Sequence, residues 1–182
     1  MSEPRSLYVH IKIKKERLYQ YFQGKPVKAA VDPNWTSWWE SRDMVSPTPL
    51  TDIPVYSNTT NRSIAEGFLS NPELVTYEVE SPPEGVWIFS VLQLSENYEE
   101  ILPTLAWLKN MADYMEPGDE GYALIYNYFW GDMDVMAHLV FKDQQAFFKN
   151  TSHTSEIEPG QLEAADATLK QAYANYSAQI DD

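Results

Sequence analysis

The sequence predicts an α+β protein: an antiparallel sheet with helices packed on one face, followed by a C-terminal helix. Three observations carry that reading. Residues 7–14 and 74–80 alternate apolar and polar, the period of a half-buried strand. Residues 86–94, VWIFSVLQL, are apolar on both faces, as a covered central strand requires. Residues 97–115 and 160–180 repeat apolar side chains at helical spacing. With 182 residues, 43% of them hydrophobic, the chain can fill one core over 1–182, within which 1–80 and 85–150 read as sub-halves.

Each element has a local reason. In the first strand Leu7, Val9, Ile11 and Ile13 share one face, and Tyr8, His10, Lys12 and Lys14 share the other, solvated one. Residues 15–23 suit a short helix, with Leu18, Tyr19 and Phe22 in step and Gly24 at its end. Residues 32–60 are irregular, broken by Pro33, Pro47, Pro49 and Pro54. Inside them WTSWWE sets Trp35, Trp38 and Trp39 at i, i+3 and i+4, one side of a helical turn, a cluster that more often ties a long loop to the core than forms a binding cradle. Residues 62–70 form a helix through Ile64, Ala65, Phe68 and Leu69. Val75, Tyr77 and Val79 face inward from the next strand, and Ser81 to Gly85 turn the chain back. Asn97 and Glu100 match a capping box, and Pro103 falls near the first turn of the helix they open.

A Gly131-Asp132 turn joins strands at about 121–130 and 133–141. Pairing Trp130 with Met133 gathers Tyr122, Leu124, Tyr126, Tyr128, Trp130, Met133, Val135, Ala137, Leu139 and Phe141 on one face. Residues 143–150 read as a short helix with Ala146 and Phe147 inward. A polar linker over 150–158 leads to the terminal helix. This order of elements resembles a ferredoxin-like, split βαβ unit, with a degenerate second copy if residues 27–57 hold two further strands.

Charge is uneven. The chain has 13 basic and 27 acidic residues, a net of −14. Residues 1–42 hold eight Lys/Arg against four Asp/Glu, whereas 78–120 hold ten acids against Lys109 alone. Such a field repels nucleic acid phosphates and anionic lipid, and it attracts basic proteins. The lysines of the first strand are expected to pair with acids of the same chain or to shield a sheet edge. No stretch has the ~20 apolar residues needed to span a bilayer. MSEPRSLYVHIKIKK puts charges where an export signal needs an apolar core, so cytoplasmic residence is expected.

Little in the chain points to catalysis. It has no cysteine, which excludes thiol chemistry and cysteine-bound metal. HExxH, GxSxG, GxxxxGK[ST] and GxGxxG are all missing, and seven glycines leave little for a phosphate loop. In GDMDVMAH, Asp132, Asp134 and His138 fall on one side of a strand. Asp134 and His138, however, are ~13–14 Å apart along it, too far to share a proton or a metal. We therefore expect no enzyme, no metal and no cofactor.

The combination suits a binding protein, monomeric or homodimeric, that neutralises a basic protein. Its general character is that of bacterial immunity proteins, which block a toxin or nucleic-acid enzyme by direct contact. The expected contact set is Glu96, Glu99, Glu100, Asp113, Glu116, Asp119 and Glu120, with Trp35, Trp38, Trp39, Tyr128 and Trp130 as aromatic anchors. Two alternatives stand beside it. LVFKDQQAFF, read as a strand entering a helix, resembles small-ligand domains of the dimeric α/β barrel type. Rows of carboxylates would suit a DNA mimic.

Overall fold

Alternation over the first strand produces β1 (Arg5–Lys12), with Leu7, Val9 and Ile11 fully buried. The computed structural model describes residues 4–81, 85–129 and 133–181. Among these, β1 lies inside one six-stranded sheet. The order is β2 (Thr76–Ser81), β3 (Val86–Ser95), β1, β4 (Glu120–Tyr126), β5 (Val135–Lys142) and β6 (Gln145–Lys149). Every neighbouring pair is antiparallel. The chain is thus α+β, as its sequence predicts. Because β1 inserts between β3 and β4, residues 1–80 and 85–150 share this sheet.

Helices α1 (Lys15–Gln23), α2 (Pro33–Glu40), α3 (Asn61–Leu69) and α4 (Tyr98–Lys109) bury their apolar sides in one core. That core includes Leu7, Val9 and Ile11 of β1, and Trp87, Phe89 and Val91 of β3. The expectation of helices on one face needs correction. α5 (Pro159–Asp181) sets Ala165, Leu169 and Ala172 against a second core of Tyr8, Leu92, Leu124 and Tyr126. Central strands with two apolar faces need two covers, and α5 is the second. Residues 27–57 contain α2 and irregular chain but no strand, so they hold no second copy of the fold.

Several local expectations hold. Asn97 caps α4: its Oδ1 accepts from the Glu99 and Glu100 amides. The reciprocal half of the box is different, because the Asn97 amide donates to Ser95 Oγ, which itself donates to the Glu100 carboxylate. Pro103 lies inside α4, which passes into a 3₁₀ turn at Asn110–Tyr114. In α1 the buried tyrosine is Tyr21 rather than Tyr19, which is 53% exposed.

Two corrections concern the sheet beyond β4. The strands stop at Tyr126 and resume at Val135, with a bulge between Ile125 and Tyr126. The Trp130–Met133 pairing and the Gly131-Asp132 turn lie outside the described residues. Observed partners are Leu124 with His138 and Ala123 with Leu139, one residue off the expected register. A one-residue slip exchanges faces. Ala137, Leu139 and Phe141 accordingly join the α1–α4 core, while Tyr122, Leu124 and Tyr126 face α5.

Residues 143–150 are not a helix. Asp143 (φ 54°) and Gln144 (φ 61°) make a two-residue turn with both residues left-handed, and β6 returns along β5. Phe148 is buried in place of Phe147, which is 38% exposed. The strand-to-helix reading of LVFKDQQAFF is therefore overturned. At the outer edge of β6 the Asn34 side chain acts as a strand segment. Its Nδ2 donates to the Phe148 carbonyl at 3.1 Å, and its Oδ1 accepts from the Phe148 amide at 2.7 Å.

Candidate functional site

The acidic residues expected to act together are carried to opposite ends of the sheet. At one end β3 leaves at Ser95, β1 enters at Arg5, β4 leaves at Tyr126 and β5 enters at Val135. Glu96, Glu99 and Glu100 sit there, all exposed. At the other end lie Glu116, Asp119 and Glu120, roughly 25 Å away along the eight residues of β1 at ~3.3 Å each.

The two groups differ electrostatically. Glu116 meets Lys14 at 2.7 Å and Arg17 at 3.4 Å. Lys14 foremost holds its carboxyl below the ordinary carboxylate range. Asp119 is buried, its carboxylate accepting from the Glu116 amide at 2.8 Å. Glu120 lies across from Lys12. Of the strand lysines, Lys14 thus pairs with an acid of its own chain, while Lys12 makes no ion pair among the described residues; shielding of an edge does not apply, because β1 is internal. Asp113 is exposed and accepts from Asn110 Nδ2.

At the first end, no cation among the described residues lies within ion-pair distance of Glu96, Glu99 or Glu100. The Asn97 cap places Glu99 and Glu100 in the first turn of α4, where the helix dipole favours negative charge. Facing them is the loop after α2, with exposed Asp43 and a fully exposed Val45. Between loop and helix opens a cleft of about 400 Å³, lined by Trp39, Asp43, Met44, Glu96, Tyr98 and Glu99 among others. Burial pushes the Tyr98 phenol up to about 12, with Asp134 adding and Arg42 opposing, so it stays a neutral hydroxyl.

Arg42 anchors this end. It is buried, and its Nη1 donates to the Val135 carbonyl at 2.9 Å and the Thr151 carbonyl at 2.7 Å. Arg5 meets Asp134 at 3.4 Å. Both cations are thereby committed to holding loops. On the α5 side of the same end, Phe129 and Met133 are 39% and 48% exposed. Phe129 meets Tyr128 and Tyr173 edge-on at 5.5 and 6.2 Å between ring centroids. Tyr128 is half-buried there, and Trp130 lies outside the described residues.

The tryptophans named as candidate contacts are core, in keeping with the reading of their cluster as an anchor that ties a long loop down. Trp35, Trp38 and Trp39 are at most 5% exposed. Trp38 stacks on Phe148 at 4.6 Å, and its Nε1 donates to the Met136 carbonyl. Trp39 Nε1 donates to the Thr48 carbonyl, tying down the loop that forms the cleft wall. Only Trp39 borders the cleft. Their apolar rings fill the space between α2 and the sheet, which is why they turn inward as a group.

His138 is 2% exposed, with Nδ1 against Thr151 Oγ1 at 2.8 Å. Burial, helped by Lys149, pulls it down to about 4, so it is neutral at physiological pH. This is a satisfied core histidine. Asp132 lies outside the described residues. No group of three or more His, Asp or Glu among the described residues is arranged to hold a metal ion.

Sequence reasoning missed Asp43, Met44 and Phe129. The signal available for the first two was SRDMVSPTP, an acid and apolar residues beside two prolines, which marks a held surface loop. Comparison with protein-family models, curated proteins and solved structures finds no match to this chain.

Proposed function

We propose that this chain is a non-catalytic acidic binding protein of the immunity type, acting in the cytoplasm by occupying the phosphate-binding surface of a basic toxin domain or nucleic-acid enzyme. One observation supports this most directly: Glu116 at one end of the sheet is neutralised internally by Lys14 and Arg17, while Glu96, Glu99 and Glu100 are held exposed without a cation beside them among the described residues. Tyr98, Tyr128 and Phe129 supply ring surface at the same end. The contact set becomes Glu96, Glu99, Glu100 and Asp43, with the tryptophans as support beneath. We read β1 to β4 and their helical crossovers as a ferredoxin-like unit, extended by β5, β6 and α5. The strand order β2-β3-β1-β4 supports that reading. A DNA mimic would need carboxylates in continuous rows, and here they separate to two ends.

The test is affinity capture from the source cell with three proteins: the parent, E96K/E99K/E100K, and a D113K control at another surface. The parent and control should retain one basic protein and lose it at ~0.5 M salt. The triple variant should associate roughly 10–100 times more slowly. Equal capture by the triple variant refutes the site. Capture of no basic protein by any form refutes the function.

A further inference from the structure

A second cleft, remote from the acidic end, lies where α5 begins. Successive strand registers set Ile88, His10, Tyr122, Val140 and Phe147 side by side across five strands. α5 buries the sheet through Ala165, Leu169 and Ala172, over Tyr8 and Leu124. The row at His10 emerges beyond the first turn of that helix. There the sheet and the start of α5 enclose about 420 Å³, within the size range of small-molecule sites.

The floor is flat and unsaturated. His10 meets the Tyr122 ring edge-on at 5.5 Å, and Val140 continues the surface. The His10 ring is half-buried and makes no hydrogen bond among the described residues. Burial lowers its pKa, so one nitrogen donates and the other accepts at neutral pH. Four charges surround this floor: Lys12 and Lys142 against Glu120 and Glu158. An anion alone would leave the two carboxylates facing it, and a cation alone would leave the two ammonium groups. A ligand with one charge of each sign satisfies both pairs. Being neutral overall, it also enters the field of a −14 chain without net repulsion.

We propose that this cleft binds a small aromatic zwitterion, of which a free aromatic α-amino acid is the simplest member. The ring lies over His10, Tyr122 and Val140. The carboxylate meets Lys12 and Lys142, and the ammonium meets Glu120 and Glu158. This site is separate from the acidic end, and neither reading depends on the other.

The probes are L-tryptophan, indole-3-propionate, which lacks the ammonium, and tryptamine, which lacks the carboxylate. Each is titrated into the ¹⁵N-labelled chain and followed by amide shifts. L-Tryptophan should give saturable shifts centred on His10, Tyr122 and Val140, with a Kd in the millimolar range or tighter. Each truncated probe should bind about tenfold more weakly. Lys142→Ala, at an exposed side chain, should weaken L-tryptophan by about tenfold while leaving tryptamine unchanged. No saturable shift with L-tryptophan, shifts centred elsewhere, equal affinity for all three probes, or an unaffected Lys142→Ala would each overturn the proposal.

Discussion

His138 makes the stability of this protein depend on pH with a sign that can be worked out in advance. Its ring is 2% exposed and is pulled down to about 4, first by burial and then by Lys149. In the unfolded chain it returns to about 6.5. Between these values the unfolded state binds the extra proton, so the contribution is complete above pH ~6.5 and is lost as pH falls through ~4. The fall from about 6.5 to about 4, at ~1.36 kcal/mol for each tenfold change in proton affinity, corresponds to about 3 kcal/mol. Carboxylates titrate over the same range, so the effect must be isolated by difference. His138→Asn keeps a polar atom near the Nδ1 position, facing Thr151, and removes the ionisation. Urea unfolding of both proteins at several pH values from 7.5 to 4 gives the comparison. The variant should be less stable at pH 7.5 from lost packing, and the wild-type advantage should shrink by about 3 kcal/mol by pH 4. A difference that stays constant to within ~0.5 kcal/mol across the range would refute the assignment of a neutral buried imidazole.

Three further outcomes follow from the packing. Trp38→Ala should cost about 3–5 kcal/mol in urea unfolding, whereas Tyr19→Ala on the exposed side of α1 should stay within ~0.5 kcal/mol. Asp143→Ile should destabilise by about 1 kcal/mol, because a β-branched residue resists φ of 54°; in a helix the same change would be neutral or favourable, so the sign of the thermal shift decides between hairpin and helix. Asn34→Ala removes two bonds to Phe148 and should cost about 1–2 kcal/mol, with increased self-association by light scattering as the β6 edge is uncovered.

Much of the sheet was legible because its signals are local. VWIFSVLQL reads as covered on both faces and lies between β2 and β1, and Asn97 announces the start of α4. What misled was turn chemistry. The pairing inferred from Gly131-Asp132, a turn outside the described residues, put Leu124 across from Leu139, whereas β4 and β5 pair one residue away from that, with a register shift between Ile125 and Tyr126. Asp143-Gln144 carries no glycine or asparagine, so its left-handed pair gave no warning of β6. The misplaced site had a simpler cause. Glu96 to Glu100 and Glu116 to Glu120 flank α4 and its 3₁₀ extension, and at ~1.5 Å per residue that length alone moves the two groups to different ends. The spacing of the tryptophan turn suggested an anchor to the core, but its partners Phe148 and Met136, more than a hundred positions and nearly a hundred positions downstream of Trp35 and Trp38, are named by no local pattern.

The internal neutralisation of Glu116 by Lys14 and Arg17 has a consequence for motion in solution. With Lys14 and Arg17 set against Glu116 at one end, and Glu96, Glu99 and Glu100 exposed without a cation beside them among the described residues at the other, charge is distributed unevenly along the strands. In the field of a charged body the molecule experiences a torque as well as a pull, within the ~8 Å over which physiological salt permits such forces. Rotational alignment would precede touching, and the share of collisions that begin in a productive orientation would fall as ionic strength rises.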